Sequence, residues 1–198
     1  MSASAGRADV ARIGPFQRQL PNLLSAFRIL LVPPLILALV GPFVDREWYA
    51  LGIFIVAALT DWIDGALARR WDIESRLGKL LDPAADKILT MAAFVSLVAI
   101  GYVAAWLVIV ILAREFAVST LRSVAASEGI VIAAGIWGKI KTVLQMIAIP
   151  LLIIIDHLGS WDWLATTTFH AAVWASVLSG VWYFYEYGRR VSGRVESG

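Results

Sequence analysis

Four aspartates stand close together in a chain that is otherwise strongly apolar. Asp61 and Asp64 are three residues apart and Asp82 and Asp86 are four apart, while hydrophobic residues make up 60% of the 198 residues. On a helix, each spacing places both carboxylates on one face. Carboxylate oxygens suit Mg²⁺ or Mn²⁺, and the chain has no cysteine for thiolate ligation. The pattern therefore predicts a divalent-metal site held by these four aspartates.

The alternative interpretation is that these acids are solvated loop charges at a membrane surface. It suits Asp72 and Glu74, which lie between the two pairs. It does not suit Asp61, which follows the apolar run LGIFIVAALT and lies roughly 13 Å from Arg70 along a helix. Carboxylates at membrane depth are costly, so their presence indicates a function.

The rest of the composition indicates the elements that position these residues. A mean hydropathy of +0.76 with only 16% charged residues is typical of a polytopic membrane protein. We predict an all-α fold with six transmembrane helices, preceded by a short interfacial helix over about residues 9–20. The predicted spans cover residues 23–44, 48–70, 80–100, 102–126, 136–157 and 163–187.

The predicted organisation is a cytoplasmic or interfacial segment (1–22), a six-helix membrane domain (23–188) and a cytoplasmic tail (189–198). Pro33 and Pro34 are expected to kink the first span. Pro83 is best tolerated in the first turn of the third span, so the start of that helix is predicted only to within several residues of Leu80.

The basic residues predict the orientation. With six spans, both termini lie on one side of the membrane. Of the 17 Lys and Arg residues, 16 lie on that side or in the adjoining helix ends, and Arg46 is the exception. The positive-inside rule then places both termini and the aspartates in the cytoplasm, in a multi-pass cell membrane protein. Aromatic residues near the span ends are interpreted as interfacial anchors, namely Trp48, Trp161, Trp163, Trp182 and Tyr183. The sequence has no basic patch interleaved with aromatic residues, which argues against nucleic-acid binding.

The segment from Asp61 to Asp86 resembles the signature of the CDP-alcohol phosphotransferase family at every position, as D-x2-D-G-x2-A-R-x8-G-x3-D-x3-D. The resemblance implies an integral membrane enzyme with six helices, expected to be a homodimer. Such an enzyme transfers a substituted phosphate from a CDP-alcohol to a second alcohol and releases CMP. It implies two divalent ions per site, about 3.5–4 Å apart, held by the aspartates. Asp86 would also accept the proton of the attacking hydroxyl.

The other signature residues are candidates for binding the CDP-alcohol. Gly65, Ala68 and Gly78 have little or no side chain, so a nucleotide can approach the backbone closely. Arg69 can pair with a phosphate as a fork.

Basic residues in the fourth and fifth spans are candidates for binding the acceptor. Arg114 follows the apolar run VIVIL, and we predict that Arg114 and Lys139 bind an acceptor phosphate. Arg122 and Lys141 are weaker candidates near the water, since the alternative interpretation, snorkelling interfacial charges, fits them well.

Further segments resemble the branch of this family that joins CDP-diacylglycerol to sn-glycerol 3-phosphate, giving phosphatidylglycerol phosphate and CMP. They include NLLSAFR at 22–28, AREFAVSTLR at 113–122 and WGKIKTVLQM at 137–146, whereas residues after 150 add little. Two sister activities are alternatives, with inositol phosphate or the lipid phosphatidylglycerol as acceptor. A divalent-ion transporter with midplane carboxylates is the alternative from another class, although the acids lie toward the cytoplasmic half.

Overall fold

A computed structural model describes the backbone of residues 15–42, 44–71, 76–130 and 135–195. Side chains are described for residues 23–42, 44–60, 85, 87–130 and 135–192. Across these ranges the regular structure is helical throughout and contains no strand, which confirms the all-α prediction. The helices are α1 (Pro15–Leu30), α2 (Val32–Val40), α3 (Arg46–Trp71), α4 (Arg76–Ala99), α5 (Ala105–Ser127), α6 (Ile136–Ile153) and α7 (Asp162–Val195). Two 3₁₀ turns, Ile155–His157 and Gly159–Trp161, connect α6 to α7.

Three segments of the described chain are long and apolar enough to cross a membrane. They are Leu23–Val40, Ile136–Ile153 and Gly159–Ser192, and they match the predicted first, fifth and sixth spans. The other predicted spans coincide with α3, α4 and α5, whose crossing of the membrane stays a prediction. The predicted interfacial helix lies mostly outside the described residues, and its described part, residues 15–20, is the beginning of α1.

Prolines shape the first span as predicted. The helix is interrupted at Leu31, and Pro33 and Pro34 lie in the first turn of α2. In that turn the missing proline N–H groups cost little, because they would lack helical partners in any case. In the third span, α4 begins at Arg76, within several residues of Leu80, but Pro83 lies beyond the first turn in which it was expected. The residues before Pro83 are mostly good helix formers, which extends the helix toward the N-terminus.

The chain divides into two compact units, Met1–Ser96 and Leu97–Gly198. In the first unit, α1 and α2 both pack against α3. Leu35 of α2 and Phe54 of α3 are buried in its core, and so are Ser25 and Arg28 of α1. Helix α1 therefore contributes a charged side chain to the core of this unit. Burial of a guanidinium is costly unless the group is paired.

In the second unit, α5 and α6 both pack against α7 and approach each other less closely than either approaches α7. The buried side of α7 is built largely from small residues, namely Ala165, Ala172, Ala175, Ser176, Ser179 and Gly180. Small residues let helix backbones approach closely in a membrane. Gln145 of α6 also donates a hydrogen bond to Ser176 of α7 at 3.4 Å. Helix α7 is therefore the common support for α5 and α6.

Both ends of α5 are linked to other parts of this unit. Just before the helix, the Tyr102 hydroxyl donates a hydrogen bond to the Asp156 carboxylate in the turn after α6. Just after it, the Tyr187 hydroxyl of α7 donates to Glu128 Oε2 at 2.9 Å. Gly129, with φ +72°, closes the end of α5, where the Ile130 N–H donates to the Ala125 carbonyl at 2.8 Å.

Candidate active site

The four aspartates lie on two successive helices of the first unit. Asp61 and Asp64 are on α3, and Asp82 and Asp86 are on α4. The backbone is helical at all four positions, as the prediction of shared helix faces requires. Their side chains lie outside the described residues. Within the described part of the chain, no group of three or more His, Cys, Asp or Glu residues is placed to hold a metal, so metal binding by the aspartates stays a prediction.

The predicted nucleotide-binding residues flank the aspartates on the same helices. Gly65, Ala68 and Arg69 continue α3, and Gly78 lies in the first turn of α4. Nothing beyond this backbone placement is described for them, so their roles also stay predictions.

The second unit contains a largely buried group of charges, which we call the cationic cluster: Arg114, Glu115 and Lys141. Arg114 Nη1 lies 3.2 Å from Glu115 Oε1, and Lys141 Nζ of α6 contacts the same oxygen. The three side chains are only 9%, 13% and 8% exposed, respectively. Two cations and one carboxylate leave the cluster with a net charge of about +1.

Arg114 is held by helix α7 as well as by Glu115. Its guanidinium lies over the Tyr183 ring, 5.7 Å from the ring centroid, a favourable cation–π arrangement. A Cβ atom at Gly180 would lie 3.1 Å from Arg114 Cγ, so the glycine lets the arginine stem pack closely against α7. Arg114 also lines a groove of about 640 Å³ between α5 and α7, whose other walls are mainly apolar, including Val177 and Val181.

The Nε atom of Arg114 is buried and has no hydrogen-bond partner among the described residues. Unsatisfied buried donors are rare in proteins and call for a partner such as an ordered water, an ion or a ligand. A guanidinium and an ammonium held together are a suitable site for a phosphate, which accepts charge-assisted hydrogen bonds from both.

The burial of the two lysines on α6 differs from the prediction. Lys141 was predicted to lie near water but is buried in the cluster, whereas Lys139 and Arg122 are exposed. Residues two apart on a helix point about 200° apart, so Lys139 and Lys141 cannot share a face. The sequence contained a signal for this, because Lys141 continues the spacing of the buried residues Gln145 and Ala148.

Residues after 150, which add little to the family resemblance, contribute to the surroundings of the cluster. Tyr183 was interpreted as an interfacial anchor, but it is only 4% exposed and packs inside the unit. Its hydroxyl lies 3.6 Å from where a Cβ atom at Gly138 of α6 would be. Gly180 and Tyr183 are three residues apart and so lie on one helix face. This spacing was the signal in the sequence that Tyr183 packs inside the unit.

In the described part of the chain, these features define an all-helical protein with membrane-length apolar segments and a cluster of two cations and one carboxylate in its second unit. Comparison with known proteins is more specific. Residues 18–182 match the family model described as CDP-alcohol phosphatidyltransferase. The chain therefore belongs to the CDP-alcohol phosphatidyltransferase family and is a transferase, in a family that generally uses divalent metals.

Curated relatives bear one name in common, CDP-diacylglycerol–glycerol-3-phosphate 3-phosphatidyltransferase. A Bacillus subtilis protein with this name is 39% identical over 183 residues, covering 83% of this chain and 93% of the relative. The Escherichia coli K12 protein is 41% identical and the Salmonella choleraesuis protein 40% identical, each over 142 residues. Each of these two alignments covers 69% of this chain and 78% of the relative.

Proposed function

We propose that this protein transfers the phosphatidyl group of CDP-diacylglycerol to sn-glycerol 3-phosphate, giving phosphatidylglycerol phosphate and CMP in phospholipid biosynthesis. The observation that carries this proposal is the buried cationic cluster, which suits an acceptor that itself bears a phosphate. The names of the relatives give the same pair of substrates.

In this proposal the cationic cluster binds the acceptor phosphate. Arg114 offers an unsatisfied Nε donor within the described structure and Lys141 adds a second cation. The exposed Lys139 and Arg122 attract the acceptor from the solvent side, where screening makes each of them weaker. A neutral acceptor such as glycerol would leave the buried cations without an anionic ligand, so it should be a poor substrate.

The aspartates supply the second part of the proposed chemistry. Four carboxylates and no cysteine fit a hard divalent cation, and Asp61, Asp64, Asp82 and Asp86 would hold two Mg²⁺ or Mn²⁺ ions. Bound there, the ions would neutralise the charge on the pyrophosphate of CDP-diacylglycerol.

The proposed reaction is a direct displacement. A bond forms between the acceptor hydroxyl oxygen and the β-phosphorus, the bond from that phosphorus to the CMP oxygen breaks, and Asp86 accepts the hydroxyl proton.

The donor nucleotide is assigned to the residues that surround the aspartates in the chain. Gly65, Ala68 and Gly78 allow close approach to the helix backbone, and Arg69 pairs with a phosphate. The support for these roles is the family signature.

The topology is also part of the proposal. It has six membrane-spanning helices in a domain over residues 23–188, an interfacial segment over 1–22 and a tail over 189–198. The distribution of Lys and Arg supports cytoplasmic termini and a cytoplasmic active site. A homodimer is proposed from the family resemblance.

An acceptor screen with purified protein and CDP-diacylglycerol tests the proposed function. CMP release should be fastest with sn-glycerol 3-phosphate and much slower with glycerol, inositol phosphate or phosphatidylglycerol. Preference for inositol phosphate or phosphatidylglycerol would assign the chain to a sister activity. Failure to bind either CMP or CDP-diacylglycerol would instead favour the divalent-ion transporter.

The two lysines of α6 provide a matched pair for locating the acceptor phosphate. Loss of a charge-assisted contact costs about 1.5–3 kcal/mol, roughly ten- to 150-fold in affinity. Lys141→Ala and Arg114→Ala should raise the KM for glycerol 3-phosphate by that order, and Lys139→Ala by less. The KM for CDP-diacylglycerol should change far less in all three. A larger effect from Lys139→Ala than from Lys141→Ala would place the phosphate on the exposed side.

A further inference from the structure

Glu115 is the one acidic residue in the cationic cluster, and its carboxylate has no evident use in binding an anionic acceptor. A carboxylate repels a phosphate, so its presence among phosphate-binding cations requires a separate reason. Its Oε1 atom is shared by Arg114, the adjacent residue on α5, and by Lys141 from α6. We infer that Glu115 is the positioning residue of the acceptor site, holding Lys141 beside Arg114 in the geometry that receives the phosphate.

The packing of the helices explains why such a residue is needed. Helices α5 and α6 approach α7 more closely than they approach each other, so the Glu115–Lys141 contact bridges two helices with little backbone contact between them. Without the carboxylate, the two buried cations would repel each other. Arg114 would still rest on Tyr183, and we expect Lys141, with its flexible four-carbon stem, to move.

This inference rests on the proposed function, because it assumes a phosphorylated acceptor, and its test measures each substrate separately. Glu115→Gln keeps the size of the side chain but removes the charge. It should raise the KM for glycerol 3-phosphate about tenfold, which corresponds to about 1.4 kcal/mol. The KM for CDP-diacylglycerol and the slow reaction with glycerol should stay within about twofold of wild type. Glu115→Asp, which keeps the charge on a shorter stem, should recover part of the loss.

A second carboxylate provides the matched control. Glu128 follows α5 and also links it to another helix, through Tyr187, but it is outside the cluster. Glu128→Gln should leave both KM values unchanged. Thermal unfolding of the variants separates general destabilisation from a specific effect on the acceptor.

A double-variant comparison identifies the route of the effect. If Glu115 acts through Lys141, then Glu115→Gln should change the KM for glycerol 3-phosphate little further once Lys141→Met is present. This double variant also removes both charges of the buried pair, so it can be measured even if Glu115→Gln alone fails to fold.

Three results would overturn the inference. They are an unchanged or lower KM for glycerol 3-phosphate in Glu115→Gln, equal increases for both substrates, and an undiminished effect in the Lys141→Met background. Failure of the proposed function is distinguishable, since it would appear in the wild type. A wild type that prefers inositol phosphate overturns the proposed transfer to glycerol 3-phosphate. The KM values of the Glu115 variants for inositol phosphate then test the role of Glu115. A wild type that uses no phosphorylated acceptor overturns both.

Discussion

Replacing Gly180 with alanine tests whether the position of Arg114 sets the affinity for the acceptor. The added Cβ would lie 3.1 Å from Arg114 Cγ, so the arginine stem must move by a few tenths of an ångström. Gly188 lies on the same helix, and a Cβ there would meet nothing within 4 Å. The pair Gly180→Ala and Gly188→Ala therefore makes the same chemical change with and without contact to the cluster.

The expected magnitude follows from the geometry. A displacement of several tenths of an ångström at the guanidinium is comparable to the whole range of hydrogen-bond lengths, about 2.7–3.2 Å. Losing a third to a half of a contact worth about 1.5–3 kcal/mol should raise the KM for glycerol 3-phosphate about two- to thirteenfold. Alanine is about 0.8–1.0 kcal/mol more favourable than glycine inside a helix, so neither substitution should unfold the protein.

The assay is CMP release at varied glycerol 3-phosphate with CDP-diacylglycerol saturating, and then the reverse. Gly180→Ala should raise the acceptor KM alone, and Gly188→Ala should change neither KM. The reasoning is refuted if both variants behave alike, or if Gly180→Ala raises both KM values equally, which would indicate a disturbance of helix packing.

Three further predictions concern other parts of the molecule. Asp86→Asn should abolish turnover while CDP-diacylglycerol still binds, measured by equilibrium binding beside CMP release, and near-normal turnover would exclude Asp86 as the base. Because the chain has no cysteine, Ser4→Cys should react with a membrane-impermeant thiol reagent only from the cytoplasmic side and Ser160→Cys only from outside. Reaction of Ser4→Cys from outside would reverse the proposed orientation. Gly135→Ala should lower the thermal unfolding midpoint, because its Cβ would lie 2.6 Å from the rigid Trp182 ring. The expected cost is about 1–3 kcal/mol, and an unchanged midpoint would show that the ring can move aside.

The helices were predictable because long apolar runs and prolines determine them locally. Pro33 and Pro34 predicted the interruption at Leu31, and the apolar run around Pro150 predicted α6. The ends were less predictable. Helix α7 continues to Val195, beyond the predicted span end near residue 187, because Arg189 and Arg190 pair with Glu186 at i+3 and i+4 and support further helical turns.

The candidate acceptor site was only partly predictable, because it depends on contacts between helices. Arg114 was identified from its depth in an apolar run. The burial of Lys141 in place of Lys139 depends on which face of α6 packs against α7, and the family resemblance gave no information about that face. The role inferred for Glu115 was not predictable from local sequence, since its contact with Lys141 joins residues 26 positions apart.

The links at the two ends of α5 also bear on how the acceptor site can respond to its ligand. Tyr102 fixes the start of the helix to the turn after α6, and Glu128 fixes its end to α7. Arg114 and Glu115 lie near the midpoint of α5, at the greatest distance from both attachments. The centre of α5 is supported as well, because the Arg114 guanidinium lies over the Tyr183 ring of α7. The proposed acceptor phosphate would therefore be received by adjustment of side chains on a helix whose backbone is fixed at both ends and at its centre.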